Sequence, residues 1–197
     1  MRHFIYFSTT AATSGKALSK FADGGLMKAG RMDIAIHSFI QGIFLSHDIR
    51  ENTVFHFVFY GMPDPPKHIE IHSHPDLEVT KKDVSKFIQK LLYKYKPNEK
   101  NEVMKGCFIE KKSLFNVINE LKEQGNEIFI LDKHGQDLRE IEIPKNCVFL
   151  LGDHEGLPKK ELKRLKEQCN LISIGPHMYF ASQTVAVVNN ELDRRCI

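Results

Sequence analysis

The sequence predicts an α/β fold in which a mostly parallel sheet lies between two layers of helices. Short apolar runs with the length of strands alternate along the chain with longer segments whose apolar residues recur every three to four positions. Several of the short runs, such as residues 4–7 and 148–151, are apolar throughout, which is typical of parallel strands covered by helices on both faces. The alternation indicates a three-layer arrangement.

Six short apolar runs are the predicted strands, at residues 4–7, 54–60, 107–109, 128–131, 148–151 and 171–174. Residues 61–80 interrupt the pattern with prolines and polar residues. This stretch predicts a long loop, within which a short strand at 69–71 is left open. Long loops in compact domains are often functional.

Five segments with helical periodicity are the predicted helices. The first begins near Asp33, Thr80 with Asp83 opens the second, Gly125 closes the third, and Pro158 opens the fourth. The last helix carries an apolar face that packs either within the chain or across a dimer. The predicted buried faces are Ile36, Phe39, Ile40, Ile43 and Phe44; Val84, Phe87, Ile88, Leu91, Leu92 and Tyr95; Leu114, Val117, Ile118 and Leu121; Leu162 and Leu165; and Ala181, Val185, Val188 and Leu192.

Length and composition indicate a single domain of residues 1–197, since 42% hydrophobic residues are enough for a packed core. No apolar run approaches the roughly 18 residues that a membrane-spanning helix needs. The strand-like run at residues 3–8 does not resemble a signal peptide. The cysteines show no CxxC spacing, so we expect a reduced, cytoplasmic protein without structural zinc. The net charge of +3 is weak evidence for a polyanionic partner.

Three turns, at residues 131–135, 152–158 and 174–178, follow the ends of predicted strands. In open α/β sheets, ligands bind beyond the carboxyl ends of the strands, and glycine lets the backbone approach a ligand closely. Any one of these segments alone is most simply an ordinary turn. Three in succession predict one pocket rimmed by backbone amides and carbonyls, which can pair with the edge of an adenine.

The stretches FILDKHG, FLLGDHEGLP and ISIGPHMYFASQTVAVVNNELDRRC resemble the SPOUT class of RNA methyltransferases. The resemblance implies a C-terminal trefoil knot, at about residues 126–197, that holds S-adenosylmethionine. The segments GRMDIAIHSFIQGIFLSHDIR, GDHEGLP and LDRRC are similar to the tRNA (pseudouridine-54-N1)-methyltransferase family. The similarity extends over nearly the whole chain, with residues 61–105 the least diagnostic part.

The family resemblance implies N1-methylation of pseudouridine 54 in the T-loop of tRNA by a homodimer with cofactor in each knot. Two alternatives stay open. A related family that methylates a ribosomal pseudouridine at N1 looks similar in the knot, and an RNA-binding protein with a vestigial pocket is the third interpretation. Cofactor binding separates the last from the first two, and the choice of tRNA or ribosomal RNA separates those.

Carried over residue by residue, the resemblance implies that all three turns line the cofactor and that the start of the last helix lies close to it. Cys196 matches a late cysteine of the family, with a frayed terminal residue as the alternative. The implied cofactor-binding residues are Leu131, Gly152, Gly156, Ile174, Gly175, Met178, Ser182, Gln183, Val185 and Cys196.

Methyl transfer to pseudouridine must remove the hydrogen that N1 carries, because the sugar of this nucleoside is attached to carbon. A carboxylate can accept that proton, or donors can stabilise negative charge on the ring. We hypothesise that Asp33 assists proton loss and that Arg31 positions RNA, since a guanidinium grips a phosphate well. The alternatives are an N-cap role for Asp33 and a surface role for Arg31.

Basic residues on two predicted helices are candidate RNA contacts. Lys82, Lys86, Lys90 and Lys94 recur every fourth residue, and like charges at this spacing weaken a helix slightly. Such a ridge is easier to understand if it faces RNA, with a solvated face as the alternative. A second cluster beside the 152–158 turn comprises Lys159, Lys160, Lys163, Arg164 and Lys166.

Four histidines are candidate substrate contacts or metal ligands. His154, within the second turn, faces either the substrate RNA or solvent. His68, His72 and His74 resemble a metal cluster, but no further cysteine or carboxylate completes a ligand set at a known spacing. Methyl transfer of this type needs no metal, so we expect none.

Overall fold

A β-sheet forms the middle layer of the fold. A computed structural model describes residues 1–19 and 25–197. The described residues form eight strands in the spatial order β4-β5-β3-β2-β1-β7-β6-β8. The strands are β1 (Arg2–Ser8), β2 (Thr53–Phe59), β3 (Lys67–His72), β4 (Asn101–Met104), β5 (Cys107–Glu110), β6 (Glu127–Asp137), β7 (Cys147–Gly152) and β8 (Asn170–Ser173).

Helices cover both faces of this sheet, which confirms the three-layer α/β prediction. In the described ranges they are α1 (Gly15–Ser19), α2 (Met32–Ile43), α3 (Val84–Tyr93), α4 (Leu114–Glu123), α5 (Lys159–Lys166) and α6 (Ala181–Arg194). Helices α1, α2, α3 and α6 share one apolar cluster with the sheet, and α4 and α5 share the other. All six predicted strands and all five predicted helices are present.

The sheet is parallel on one side and antiparallel on the other. Strands β2, β1, β7, β6 and β8 pair in parallel, whereas β2–β3, β3–β5 and β4–β5 are antiparallel. The stretch predicted as a long loop contains β3, which includes the short strand considered at 69–71. The periodicity missed α1, which has five residues, and β4, which is a polar edge strand.

One predicted helix start shifts in the structure. Thr80 Oγ1 donates to Asp83 Oδ2 at 2.7 Å, and α3 begins only at Val84, with Asp83 as its N-cap. The prediction that Thr80 opens this helix was therefore wrong by one turn, because its hydroxyl binds a side chain and not the backbone of the first turn. The third helix ends as predicted, at Gly125 with a φ of 83°.

Helix α6 packs on α2 of the same chain. Its apolar residues Val185, Val188 and Leu192 are fully buried. Asn189 Nδ2 donates to the carbonyls of Gln41 and Gly42 at 3.0 and 3.2 Å. This apolar face therefore packs within the chain, which decides between the two alternatives left open for it.

A buried arginine on the first strand ties α6 to the sheet. Arg2 is 3% exposed, and its Nη1 donates to Asn189 Oδ1 at 2.9 Å and to Asp193 Oδ1 at 2.8 Å. Arg50 adds two hydrogen bonds of 2.6 and 2.7 Å to the same Asp193 carboxylate. Burial opposes ionisation of Asp193, but the hydrogen bonds from Arg50 and Arg2 prevail and lower its pKa.

We expect Asp193→Asn to lower the free energy of unfolding by about 3 kcal/mol at pH 7, because it leaves the Arg2 guanidinium buried without its counter-charge. A carboxyl whose pKa is lowered by folding stabilises the protein above its unfolded pKa, and this contribution is lost as pH falls through the folded value. The difference between wild type and variant should therefore shrink below about pH 4. Urea denaturation at several pH values measures it. As control, Asp76→Asn removes an exposed pair with Lys105 and should cost under about 1 kcal/mol; equal losses for the two variants contradict the assignment.

Candidate functional site

A cavity of about 470 Å³ opens at the carboxyl end of β7, beside residues 130–133 in the middle of β6. It is lined by these residues, by the turn that follows β7, by the start of α6 and by Ile34 of α2. A smaller cavity of about 70 Å³ adjoins it and is lined by the turn after β8. The two share Leu131, Asp132, Lys133, Met178 and Thr184, so we treat them together as the three-turn cavity.

The first turn is an outward bulge inside β6. Leu131 and Gln136 both pair with Ile172 of β8, so that residues 132–135 loop out between them. A Cβ at Gly135 would lie 2.4 Å from the backbone nitrogen of Ile172, which explains the glycine. The sequence predicted a turn that ends the strand, whereas the strand resumes after the bulge and continues to Asp137.

The second turn is held by the buried carboxylate of Asp153. This group accepts hydrogen bonds from Ser8 Oγ at 2.6 Å, from the Thr9 amide at 3.2 Å and from the Glu155 amide at 2.9 Å. It therefore joins the carboxyl end of β1 to the turn. Gly156 has a φ of 76°, which a residue with a side chain rarely adopts.

The third turn leads into an exposed apolar segment. Ser173 Oγ donates to the Gly175 carbonyl at 2.9 Å and accepts from the Gly175 amide at 3.2 Å. The chain then passes Met178 and Phe180, which are 79% and 77% exposed although both line the three-turn cavity. Apolar side chains exposed at the rim of a cavity are typical of a binding surface.

Arg31 and Asp33 form an ion pair beside this cavity, at the start of α2. The guanidinium donates from Nε and Nη2 to the two carboxylate oxygens, each at 3.0 Å. The hydrogen bond from Arg31 lowers the pKa of Asp33, so its carboxylate is ionised at neutral pH. Arg31 is the N-cap, with a φ of 57°, and Asp33 lies within the first turn. The N-cap interpretation of Asp33 was therefore wrong.

The Tyr6 hydroxyl connects this pair with the second turn. It is fully buried and lacks a hydrogen-bond partner among residues 1–19 and 25–197. Burial is the main cause of its raised pKa, and the charges of Asp153 and Asp33 act in the same direction. Both carboxylates therefore lie near one buried phenol, and Ile34, which follows Asp33 in the chain, lines the cavity.

The structure brings together some of the sequence-predicted residues and separates others. Leu131, Gly152, Gly156, Met178 and His154 line the larger cavity, while Ile174 and Gly175 line the smaller one. On α6 the lining residues are Ala181 and Thr184, whereas Val185 is buried against the core and Gln183 accepts from the Phe180 amide at 3.1 Å. Ser182 lies between the lining positions.

Cys196 lies away from the cavity, beyond the opposite end of α6. Cys196 follows Ala181 by 15 positions, which at the rise of a helix is a distance of about 22 Å. Helix α6 carries the chain away from the three turns, so the structure does not place Cys196 beside the expected cofactor.

Several lining residues were missed in the sequence, namely Ile34, Asp132, Asp153, Glu155, Phe180 and Thr184. Asp132, Asp153 and Glu155 lie in the predicted turns, so their position after a strand was a signal that could have found them. Ile34 carried no such signal, because only the packing of α2 on the sheet brings it to the cavity.

A second cavity, of about 450 Å³, lies on the other side of the 30–34 segment and includes Lys16, Lys28 and Gly30 in its lining. Helix α1 contributes Lys16 and packs against α3, where Gln89 Nε2 donates to Ser19 Oγ at 2.7 Å. The basic ridge of α3, defined as Lys82, Lys86, Lys90 and Lys94, belongs to the segment that packs against α1; Lys86 and Lys90 lie within α3, and Lys82 and Lys94 flank it. All four lysines are exposed, and none forms an ion pair with another described residue.

The second basic cluster, on α5, flanks the three-turn cavity. Lys159 lines the cavity, and Lys166 Nζ lies 3.2 Å from Asp132 Oδ2. The α5 cluster therefore borders the three-turn cavity directly.

Charge reversal on the α3 ridge, as Lys86→Glu with Lys90→Glu, should weaken binding of the RNA that the sequence resemblance implies about tenfold at moderate salt. It should also make the slope of log affinity against log salt shallower by about 1 to 2, because each phosphate contact releases counterions. Filter binding at several salt concentrations measures both. Lys105→Glu with Lys145→Glu is the control with the same charge change, and an equal effect of both pairs would show that only net charge matters.

The chain is similar to known proteins over its whole length. A family model described as "Putative SAM-dependent RNA methyltransferase" matches residues 1–197. The tRNA (pseudouridine(54)-N(1))-methyltransferase of Methanococcoides burtonii is 33% identical to the chain, and the alignment covers 98% of the chain and 96% of that protein. The protein of the same name from Pyrococcus abyssi is 32% identical, with 98% of each covered.

A solved structure shares the fold. The crystal structure of Archaeoglobus fulgidus Nep1 bound to S-adenosylhomocysteine aligns with a TM-score of 0.62 and 11% identity, covering 100% of the chain and 99% of that structure. The prediction of a SPOUT-type α/β fold is therefore confirmed, and the trefoil knot itself stays a prediction.

Proposed function

Because the chain belongs to the SAM-dependent RNA methyltransferase family that its whole length matches, we propose that it methylates N1 of pseudouridine 54 in the T-loop of tRNA. The observation that carries this proposal is the site itself: the three-turn cavity is lined by Ile34, whose neighbour Asp33 forms the ion pair with Arg31. Curated relatives named for this activity match 98% of the chain at 33% and 32% identity, which favours tRNA over ribosomal RNA.

The residues of the three-turn cavity fit S-adenosylmethionine. Its volume of about 470 Å³ is within the range of small-molecule sites. Leu131, Leu151, Leu157 and Leu162 offer apolar contacts for an adenine, and the turns offer backbone amides and carbonyls for its edge. When bound, S-adenosylmethionine supplies a methyl group that is electrophilic because its sulfur is cationic.

Asp132 and Glu155 are further lining residues suited to this cofactor, because a carboxylate can accept from hydroxyl and ammonium groups. Gly152 and Gly156 allow the chain to approach the ligand closely. We assign the cofactor-binding unit to residues 126–197 of a single domain, with Ile34 as the contribution of α2.

Arg31 and Asp33 orient the target and receive its proton in this proposal. Asp33 accepts a hydrogen bond from N1–H of the pseudouridine, and Arg31 keeps the carboxylate ionised and grips a phosphate. A carboxylate with a lowered pKa is a weak base toward the neutral ring. Once the methyl group is on N1 the ring is cationic and strongly acidic, so Asp33 can then take the N1 proton.

We further propose that the enzyme is a homodimer, with the exposed Met178 and Phe180 at the interface. Their exposure at the rim of the cavity supports this surface. The apolar face of α6 is buried within the chain, so it is not available as an interface. Light scattering of Phe180→Asp should show a shift from dimer to monomer.

The proposed setting is the cytoplasm, where tRNA is available and thiols stay reduced. All four cysteines are free. Within residues 1–19 and 25–197, none of the helices has the length and apolar character to cross a membrane.

The experiment that tests the activity uses labelled S-adenosylmethionine and two T-loop RNAs, one with pseudouridine and one with uridine at the target position. Label only in the pseudouridine RNA, mapped to N1, supports the proposal. Label in a ribosomal pseudouridine RNA alone favours the ribosomal alternative, and absence of cofactor binding leaves an RNA-binding protein.

A further inference from the structure

A row of buried imidazoles crosses the sheet on the face covered by α4. His3 of β1, His56 of β2 and His68 of β3 are each less than a tenth exposed. His3 Nδ1 lies 3.0 Å from His56 Nε2, and His56 Nδ1 lies 3.0 Å from His68 Nε2. The row ends at Glu110 of β5, whose Oε1 is 3.0 Å from His68 Nδ1.

The rings of this row lie end to end, which fixes the protons along it. Ring centroids are 5.3 and 5.2 Å apart, with interplanar angles of 18° and 7°. The Glu110 carboxylate only accepts, so His68 donates from Nδ1 and its Nε2 carries a lone pair. By the same argument His56 donates from Nδ1 to His68, and His3 donates from Nδ1 to His56.

A cavity of about 130 Å³ opens beside the row, and we call it the histidine pocket. It is lined by His3, His56, His68, Glu70 and His72 of the sheet and by α4. Glu70 pairs with His56 across β2 and β3, and its carboxylate is 2.6 Å from His72 Nε2 and 2.8 Å from Lys100 Nζ. One ligand atom from each of His56, His68 and Glu70 lies within 4.8 Å of the others.

We propose that the histidine pocket binds one divalent transition-metal ion, of the kind represented by Zn²⁺, through His56, His68 and Glu70. Two imidazole nitrogens and a carboxylate oxygen are a donor set that such ions prefer. Tetrahedral ligands at 2.0–2.1 Å from zinc are about 3.4 Å apart. The two nitrogens that now lie 3.0 Å apart would separate by a few tenths of an ångström as the rings tilt toward the ion.

The surrounding groups already provide the outer contacts that metal-bound histidines require. His68 donates its other nitrogen to Glu110, which Lys112 holds at 2.7 Å, an arrangement typical of metal-binding histidines. His56 frees Nδ1 for the metal by moving its proton to Nε2, from where it donates to His3 Nδ1. His3 then carries its own proton on Nε2, so with neutral rings the protons only shift along the row.

The position of the pocket indicates a structural role for the ion. His3 lies five residues before Ser8, which is bound to the second turn, so the pocket is about 16 Å from the three-turn cavity along β1. The metal would join β2 and β3 beneath α4. This inference is independent of the proposed function, and methyl transfer itself would not involve the ion.

The test is metal analysis of protein that has been stripped with a chelator and dialysed against Zn²⁺. We expect one zinc per chain, a higher melting temperature with Zn²⁺, and the visible spectrum of a low-coordinate site when Co²⁺ replaces zinc. These wild-type measurements need no variant. Bound zinc well below one per chain, or the spectrum of hydrated Co²⁺, would overturn the proposal.

Variants then assign the ligands. Glu110→Gln should weaken zinc binding about 10- to 100-fold, as is usual for a group that orients a metal-bound histidine. Glu70→Gln should abolish the Co²⁺ spectrum. His47→Gln changes an exposed histidine elsewhere and should leave both unchanged. Equal binding by all three variants would place the ion outside the pocket.

Discussion

The Asp33→Asn variant is expected to bind S-adenosylmethionine as the wild type does and to methylate pseudouridine RNA about 100- to 10,000-fold more slowly. Asparagine cannot take the proton from N1, and it loses one of the two hydrogen bonds that hold Arg31. Single-turnover kinetics with saturating RNA separates this loss in rate from weaker RNA binding.

The pH dependence provides a second readout for Asp33. Arg31 lowers the pKa of Asp33 below its usual value of 3.8, so the carboxylate is fully ionised above about pH 5. The wild-type rate should therefore show no acid limb between pH 5 and 8 from this group. Asp48→Asn, at an exposed aspartate after the same helix, is the control and should keep full activity. Normal turnover by Asp33→Asn would remove Asp33 from the chemistry.

Gly152→Ala is expected to reduce S-adenosylmethionine affinity by about 10- to 100-fold, because overpacking of about 1–3 kcal/mol corresponds to a loss of this size. The added Cβ would lie 2.5 Å from the backbone carbon of Gly156 and 2.7 Å from its Cα. Contacts this short with backbone force the second turn to move, and that turn lines the cavity. Calorimetric titration with the cofactor measures the loss.

A glycine outside the site separates this effect from general destabilisation. Gly125 has a φ of 83°, and no heavy atom of the described residues lies within 4 Å of an added Cβ. Gly125→Ala should therefore cost about 1–2 kcal/mol of stability through its backbone conformation and leave cofactor affinity unchanged. Unaltered cofactor binding by Gly152→Ala would contradict the placement of the cofactor at the second turn.

The parallel half of the sheet could be predicted because its strands carry the apolar runs. Residues 4–7 and 148–151 are buried on both faces, so their sequence alone indicates central strands. The antiparallel edge was harder, because β4 is polar and β3 follows a proline-rich segment. As an edge strand, β4 needs few apolar residues, and only its pairing with β5 makes it a strand. Strand β3 is held between β2 and β5, and its composition does not indicate this pairing.

The candidate site was predictable where its residues are local in sequence and missed where they converge from distant strands. The glycine turns were visible as turns, whereas Asp153 gains its role only from Ser8 across the sheet. The same holds for the histidine pocket. His68, His72 and His74 looked like an incomplete cluster, but β2 brings His56 to His68, and His74 turns away to the Lys105 carbonyl at 3.1 Å.

Nucleoside mass spectrometry of a modified tRNA tests the proposed N1-methylation at position 54. Two full-length tRNAs are incubated with enzyme and S-adenosylmethionine, one with pseudouridine only at position 54 and one only at position 55. We predict N1-methylpseudouridine in the first tRNA alone, and its absence with Asp33→Asn. Methylation at position 55, methylation at both positions, or a methyl group on any atom other than N1 would contradict the proposed function.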